Sequence, residues 1–488
     1  MEIDQQQVDE LKQLIYRNSV TLSILQEILD FLPDCEYQLI SFMEQQGVWQ
    51  GPQPQLPPDF SEGTIELGLI LYWLNNPAQI DLSQFSFKEQ LAIITLVVGL
   101  DELLVTSKMT DENAAYFTNN ELIYTDGSVL STKTYATYDQ GWLFAFLNLI
   151  ESVTRGLWYN GGVFPATKPP RVPLKGAIAN TVSIAILGDW GTGDATAKAV
   201  MSAVTALKPD YIVHVGDVYY AGTPLATSPN SAHYFAAGEE TGNLLNLWPS
   251  SYAGRSFTLN SNHEMYSGAN GYFYEALKAQ VYGAGSFFSA QEGSSCFTLQ
   301  YGGWTILGLD TAFMSSCIDA FMTGSIGGSA GTQGQWIQSL GLDPAKTIVL
   351  THHNGFAPDC SAASPLWAEI RGALKGDPFA WYWGHVHNGI VYNAPITIPS
   401  IPKQPGLTTN TLTRCLGHAA LPYGLATLNQ QLVAWNETNA QPAPSKELYN
   451  GFAILTLSVN SQNQVSGITE NWYDLSPAKQ PVWTKKLL

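Results

Sequence analysis

Positive charge is scarce in this sequence, and its scarcity excludes several classes of partner. The 488 residues include 22 Lys and Arg against 41 Asp and Glu, so the formal net charge is −19. No cluster of Lys or Arg interrupts this balance, and an acidic chain repels nucleic acid phosphates and anionic membrane surfaces. We therefore predict no nucleic acid partner and no membrane partner. A metal site could still take an anionic substrate, because its cations dominate the local field.

Cysteines and long hydrophobic runs are also few. The five cysteines show no C-x-x-C spacing, which favours buried thiols. The alternative is one bridge between Cys317 and Cys360 if the protein is exported. The start, MEIDQQQVDELKQ, lacks the basic and apolar regions of a signal peptide, and the longest apolar stretch, residues 91–100, is shorter than the ~20 residues of a bilayer span. These features favour a cytoplasmic protein, with export as the alternative.

The first third of the chain has a helical pattern. Apolar residues recur at three- and four-residue steps over residues 8–32, and residues 91–100 and 142–153 add two further apolar helical segments. The pattern predicts a mainly helical N-terminal domain over residues 1–160.

The spacing of apolar residues along the sequence changes after a proline-rich stretch. Residues 161–176 contain four prolines and predict an extended linker. From residue 177 to residue 488, short β-runs alternate with predicted helices such as 195–207 and 334–340. This alternation is typical of an α/β domain.

Metal-type side chains stand where five of these β-runs end. A strand that is buried on both faces meets water only at its end, so chemistry in α/β sheets collects at the carboxyl ends of the strands. Each residue alone could be a helix cap, a turn former or a packed histidine. Together, oxygen and imidazole donors suit iron, manganese or zinc. The residues are Asp189, Asp217, Asn262 with His263, His352, and His385 with His387.

The order of these motifs resembles the calcineurin-like metallophosphoesterase superfamily, whose blocks are D-x-H, G-D-x-x, G-N-H-[DE], H and G-H-x-H. The resemblance covers about residues 181–390 and implies a two-sheet αββα sandwich, here preceded by the mainly helical N-terminal domain. It also implies metal-dependent phosphoester hydrolysis. The matching blocks are GDWG at 188–191, GDVYY at 216–220, SNHE at 261–264, THHN at 351–354 and GHVH at 384–387.

Two departures from that pattern resemble the purple acid phosphatases, in which a phenolate binds Fe(III). No histidine follows Asp189 in the first block, and Tyr220 stands three residues after Asp217. The resemblance implies two metal ions, Fe(III) together with Fe(II), Zn or Mn(II). It assigns Asp189, Tyr220 and His387 to the first metal, Asn262, His352 and His385 to the second, and Asp217 to both.

Two neighbouring residues compete for these assignments. Tyr219 adjoins Tyr220, but side chains of adjacent residues point to opposite sides if the segment is extended. His353 adjoins His352, and the resemblance favours the first histidine after the strand.

The implied reaction is hydrolysis of phosphate monoesters of a small phosphorylated substrate, by attack of a metal-bound hydroxide on phosphorus. His263 is the candidate to stabilise charge or protonate the leaving group, with Glu264 orienting it. His418 could line the pocket or simply be packed in a turn. The alternatives are phosphodiester hydrolysis at the same centre, and a non-catalytic scaffold that acts through a protein partner of the helical domain.

Overall fold

The computed structural model describes residues 155–488 except for seven short gaps, together with a few earlier positions. The gaps are 235, 279–285, 318–319, 402–404, 422–427, 440–447 and 478–479, and the earlier positions are 117–118, 121–123, 129–131, 135, 145, 148–149 and 152. The chain divides into two compact units, Met1–Gly156 and Leu157–Leu488.

The first unit contains a three-stranded antiparallel sheet that the helical pattern did not predict. Its strands are β1 (Phe117–Thr118), β2 (Glu121–Ile123) and β3 (Val129–Ser131), with β2 in the middle. Four described positions, 145, 148, 149 and 152, are helical and buried, as the pattern over residues 142–153 predicts. The helical segments predicted at 8–32 and 91–100 lie outside the described residues.

The second unit is built on two large sheets and one small one. In chain order its strands are β4 (Arg171–Pro173), β5 (Thr181–Leu187), β6 (Tyr211–His214), β7 (Ser256–Thr258), β8 (Phe297–Tyr301), β9 (Trp304–Gly308), β10 (Thr347–Thr351), β11 (Ala380–Trp383), β12 (Gly389–Tyr392), β13 (Ile396–Ile398), β14 (Leu407–Thr409), β15 (Leu412–Leu416), β16 (Val433–Asn436), β17 (Gly451–Val459), β18 (Val465–Asp474) and β19 (Trp483–Lys486).

The two large sheets are both mixed. One has eight strands in the order β16-β12-β15-β11-β10-β9-β8-β4, and the other has six in the order β19-β18-β17-β5-β6-β7. Strands β5, β6 and β7 are parallel to one another, and so are β9, β10, β11 and β15. The remaining pair, β13 and β14, forms a separate antiparallel ribbon.

Four α-helices accompany the sheets in the described part of this unit: α1 (Ala195–Ala206), α2 (Asn262–Met265), α3 (Thr332–Leu340) and α4 (Pro365–Leu374). Asp194 caps α1 by accepting a hydrogen bond from the Ala197 N–H, and Ser364 caps α4 in the same way. Shorter turns are the 3-10 segments Tyr159–Gly162, Ser231–His233, Leu245–Leu247, Ser250–Tyr252, Ser289–Gln291, Pro344–Lys346 and Gln430–Leu432, and the π segments Glu240–Leu244 and Tyr272–Ala276.

Apolar side chains from both large sheets form one buried cluster. Val213 and Leu455 of the six-stranded sheet join Ile348 and Tyr382 of the eight-stranded sheet in it. A second cluster packs the other face of the eight-stranded sheet against α3 and α4, while α1 contacts β17 of the six-stranded sheet. The prediction of an α/β domain with more than one sheet is confirmed. Strands that are apolar on both faces are covered on both faces by other layers of the domain.

An ion pair lies within the cluster between the two sheets. The Arg414 guanidinium donates from Nε to Glu470 Oε1 at 2.9 Å and from its terminal nitrogens to Glu470 and the Thr413 carbonyl. The Tyr382 hydroxyl donates to Glu470 Oε2 at 2.8 Å. Each nitrogen of Arg414 and each carboxylate oxygen of Glu470 therefore has a partner, as buried charges require.

One expectation from the sequence differs from the structure, and two further points of the sequence can be compared with it. Within the predicted linker, Arg171–Pro173 forms edge strand β4 beside β8, a position that a proline tolerates. Cys317 and Cys360 are not joined by a disulfide. In the described part of the chain, no helix is both long and apolar enough to cross a membrane.

Candidate metal centre

The parallel strands of the two large sheets bring their carboxyl ends to one place. Asp189 follows β5, Asp217 follows β6, and His385 and His387 follow β11. Asn262 begins α2 after β7, and His352 follows β10 directly. These side chains form two adjacent groups that share Asp217.

The first group contains both aspartates, a tyrosine and a histidine. The Tyr219 hydroxyl donates to Asp217 Oδ2 at 2.7 Å and lies 3.3 Å from Asp189 Oδ1. His387 Nε2 lies 3.0 Å from that hydroxyl and 3.3 Å from Asp189 Oδ1. Asp189, Asp217 and Tyr219 are buried, whereas the side chain of His387 keeps 16% of its surface exposed. The group is therefore open to solvent on the His387 side.

The second group contains an amide and two imidazoles. Asn262 Oδ1 lies 2.8 Å from His352 Nε2 and 3.2 Å from His385 Nδ1. The same nitrogen of His352 is 3.2 Å from His385 Nδ1 and 3.2 Å from Asp217 Oδ1. Four potential ligand atoms thus face one another at one point.

In this second group several acceptor atoms direct lone pairs at one another, an arrangement that fits a bound cation. His352 Nδ1 lies 3.0 Å from the Val215 carbonyl oxygen, an acceptor, so this nitrogen carries the proton. Burial lowers the pKa of His352 to about 3, so the ring is neutral and Nε2 has a lone pair. Nε2 nevertheless faces two further acceptors, Asn262 Oδ1 and Asp217 Oδ1, and the latter accepts no hydrogen bond. A bound cation resolves such an arrangement.

The electrostatics of the first group also fit cations. Burial and the neighbouring Asp217 carboxylate raise the pKa of Asp189 to about 7. Burial would also raise the pKa of Asp217, but His352 and His263 hold it well below its usual range. Burial opposes the charged form of His387, yet its hydrogen bonds with the two aspartates raise its pKa to about 9. Without a cation, this group therefore relies on protons to balance its carboxylates.

Glycines allow the ligand residues to approach each other so closely. Gly216 has φ of +106°, and a side chain there would meet His352 Nδ1 at 2.8 Å. A side chain at Gly384 would overlap Asp189 Oδ2. Asp189, Asp217 and His385 themselves adopt positive φ angles of 59°, 78° and 65°. Backbone in this uncommon region costs energy and often accompanies functional sites.

Comparison with known proteins agrees with this geometry. Residues 182–389 match the family model described as Calcineurin-like phosphoesterase. This part of the chain is a calcineurin-like phosphoesterase domain. A domain of this family implies two metal ions and phosphoester hydrolysis, and the two groups around Asp217 are the candidate ligands.

Other comparisons add little to that assignment. No curated protein matches the chain. Among solved structures, GAP50, the anchor in the inner membrane complex of Plasmodium, is similar with a TM-score of 0.42 and 12% sequence identity. The similarity covers 63% of this chain and 88% of GAP50.

The phosphoesterase domain presents Tyr219 to the carboxylates where the sequence favoured Tyr220. Tyr219 was set aside on the assumption of an extended segment, but the chain turns at Asp217, where φ is 78°. Glu239 holds the turn by accepting hydrogen bonds from the Tyr220 and Ala221 N–H groups at 2.8 and 2.9 Å. Alternation of side chains therefore does not apply here, and the Tyr219 hydroxyl contacts both aspartates.

His263 lies beside the phosphoesterase centre, between Tyr219 and Tyr266. Its Nδ1 donates to the Tyr220 carbonyl oxygen at 2.6 Å, and its Nε2 is 3.9 Å from Asp217 Oδ2. Glu264, the residue expected to orient His263, is buried and accepts a hydrogen bond from the Ser261 hydroxyl. The atoms beside the His263 ring nitrogens are thus the Tyr220 carbonyl and the Asp217 carboxylate, not the Glu264 carboxylate.

Two further histidines lie near the centre. His352, His353 and His385 bring ring nitrogens within 4.8 Å of one another. However, His353 has protein partners on both nitrogens, the Thr311 hydroxyl at 2.9 Å and the Phe321 carbonyl at 2.7 Å, so it is less available than His352. His418 lines a small cavity together with His387, and neither nitrogen of His418 has a hydrogen-bond partner.

Proposed function

We propose that this protein is a phosphatase that hydrolyses phosphate monoesters at a centre of two metal ions. The observation that carries the proposal is the convergence of lone pairs from Asn262, His352 and Asp217, next to a second group that shares the same aspartate. Two adjacent cation sites joined by one carboxylate suit the transfer of a phosphoryl group to water.

The residues for each ion follow from the two groups. Asp189, Tyr219 and His387 would hold one ion, and Asn262, His352 and His385 would hold the other, with Asp217 between them. When bound, the ions supply Lewis-acid chemistry that polarises a phosphoryl group and makes water a better nucleophile. The protein keeps the ligands dry and preorganised, since five of these seven side chains are buried.

His263 is the residue we propose for proton transfer to the leaving group. Its ring lies at the centre, 4.6 Å from the Tyr219 ring and 4.9 Å from the Tyr266 ring between their centroids. The Tyr220 carbonyl holds the Nδ1 proton, so the proton given to the leaving group would come from Nε2 of the doubly protonated ring, 3.9 Å from Asp217 Oδ2. His263→Ala should slow hydrolysis of an alkyl phosphate more than that of an aryl phosphate, because an aryl oxide leaves without a proton.

The purple acid phosphatase subtype is part of this proposal. It needs a phenolate ligand for Fe(III), and Tyr219 is the phenol that contacts Asp189, Asp217 and His387. Burial and the two aspartates raise the pKa of the Tyr219 phenol well above its usual value, so ionisation would depend on the cation.

A matched pair of variants tests the subtype. Iron-loaded wild-type protein should show a visible phenolate-to-Fe(III) band, which should vanish in Tyr219→Phe and persist in Tyr220→Phe. Loss of the band in Tyr220→Phe alone would identify Tyr220, the residue that the sequence favoured, as the ligand. A colourless and active enzyme would remove the purple subtype and leave the phosphatase proposal in place.

Turnover of paired substrates tests the main proposal. Metal-free protein would be loaded with iron and zinc or with Mn(II), and its rates on an aryl phosphate monoester and on the corresponding diester would be compared. We expect the monoester to be cleaved faster and Asp217→Asn to abolish both rates. Preference for the diester would instead indicate a phosphodiesterase, and tight metal binding without turnover of either ester would indicate a non-catalytic scaffold.

A further inference from the structure

The Asn262 amide is held by contacts on the side that faces away from the other ligands. Asn262 Nδ2 donates to the Tyr266 hydroxyl at 3.1 Å and lies 3.7 Å from the Met322 sulfur. The Tyr266 hydroxyl in turn lies 3.8 Å from the same sulfur. These three groups form a closed triangle next to the second metal group.

The chemistry of the triangle distinguishes the two ends of the amide. A thioether sulfur accepts hydrogen bonds and cannot donate them, so it favours the NH2 end of Asn262. With its own proton directed toward the sulfur, the Tyr266 hydroxyl offers a lone pair to the same NH2 group. The opposite end of the amide, Oδ1, therefore faces His352 and His385.

The backbone holds both partners in place. Tyr266 is four residues beyond Asn262 and donates its N–H to the Asn262 carbonyl, so the two side chains lie on one face of the turn. Met322 follows Phe321, whose carbonyl accepts a hydrogen bond from His353 Nε2 and whose ring packs against Trp158. Contacts within the protein thus hold the segments that carry Tyr266 and Met322.

We propose that Tyr266 and Met322 are positioning residues that select the orientation of the Asn262 amide and so present an oxygen, not an NH2 group, to the second metal ion. The inference rests on the proposed metal centre. If the triangle is broken, rotation of the amide by half a turn would place two N–H donors where the cation needs a lone pair. Partners behind a ligand typically change metal affinity by about 10- to 100-fold.

A double-mutant cycle tests this role through metal binding alone. Titration calorimetry of metal-free protein with Mn²⁺ would give the stoichiometry and the affinity of each site. Tyr266→Phe should weaken one of two sites about 10- to 100-fold, and Met322→Leu should weaken the same site less. In Asn262→Asp both ends of the side chain are oxygen, so adding Tyr266→Phe there should leave Mn²⁺ affinity unchanged.

Tyr274→Phe is the matched control, since it removes a hydroxyl from another half-buried tyrosine, one that packs against Tyr159. It should bind Mn²⁺ as the wild type does. The inference would be overturned by unchanged affinity in Tyr266→Phe, or by an equal loss in the Asn262→Asp background, which would mean a general structural effect. A wild type that binds no Mn²⁺ would overturn the proposed function, and the inference with it.

Discussion

Two buried polar clusters in the same domain differ in how completely they are satisfied. Between the sheets, each charged atom of Arg414 and Glu470 has a hydrogen-bond partner of the opposite kind. At the strand ends, acceptors face acceptors, as His352 Nε2 faces Asn262 Oδ1 and Asp217 Oδ1. In the first cluster the protein supplies a partner for every charged atom, whereas the second cluster needs a cation. Whether buried polar atoms have hydrogen-bond partners therefore distinguishes the structural cluster from the functional one.

The largest expected effect that tests this contrast is on activity. Asp217→Asn removes the carboxylate shared by both groups, and metal ions supply several kcal/mol of transition-state stabilisation, so kcat/KM should fall at least about 10³-fold. The free energy of unfolding of the metal-free protein should not fall, because the new NH2 group can donate to His352 Nε2. Steady-state kinetics and urea unfolding would check both expectations, and an Asp217→Asn variant that is active but unstable would reverse our assignment of the two clusters.

The opposite outcome is expected at the ion pair. Arg414→Met leaves the Glu470 carboxylate buried without its countercharge, which should lower the free energy of unfolding by about 3 to 5 kcal/mol. The double variant Arg414→Met/Glu470→Leu should recover most of that loss, since a buried pair can be replaced by apolar side chains. Denaturant unfolding would measure both variants.

A surface pair provides the control for that measurement. Arg371 pairs with Asp377, but their side chains are 41% and 26% exposed. Arg371→Met should therefore cost about 1 kcal/mol or less. Equal losses at Arg371 and Arg414 would contradict the special role of burial.

Added metal should stabilise the folded protein only by binding to the strand-end cluster. At a free metal concentration of 100 times Kd, one bound ion adds about 2.7 kcal/mol to the free energy of unfolding. Mn²⁺ should raise the Tm of wild type and of Arg414→Met by similar amounts, and a chelator should reverse the shift. Asp217→Asn should show little shift in differential scanning fluorimetry, and a full shift there would mean that the metal binds elsewhere.

Glu437 is an intermediate case, a carboxylate satisfied at one oxygen only. Its Oε1 accepts from the Thr438 and Asn439 N–H groups at 2.9 and 2.7 Å, and its Oε2 has no partner. Burial raises the pKa of Glu437 to about 7. Because this is above the ordinary value of a glutamate, its contribution to stability is complete below about pH 4.3 and is lost as the pH rises through 7.

Glu437→Gln should remove this pH dependence. Relative to wild type, the variant should gain stability between pH 5 and pH 8 by on the order of 1 kcal/mol. Tm values of wild type and variant across that range would check the sign. A variant whose advantage shrinks with rising pH would contradict the raised pKa.

The sequence indicated which strand-end residues the fold brings together, but not the structure of several segments around them. Asp189, Asp217, His352 and the other strand-end residues were recognisable because each ends an apolar run, and parallel runs end at one edge of a sheet. Tyr219 was set aside because the turn at Asp217 could not be seen from side-chain alternation. The strand at Arg171–Pro173 was missed because prolines there indicated a linker, although a sheet edge tolerates them.

The order of the strand ends and the kinds of donor atoms they carry are properties of the sequence, since local runs of residues decide where strands stop and which side chain follows. The direction of each lone pair is a property of the tertiary structure. The Val215 carbonyl decides which nitrogen of His352 carries the proton, and Met322 favours one end of the Asn262 amide. These partners are remote in sequence from the ligands they orient, so only folding brings them together.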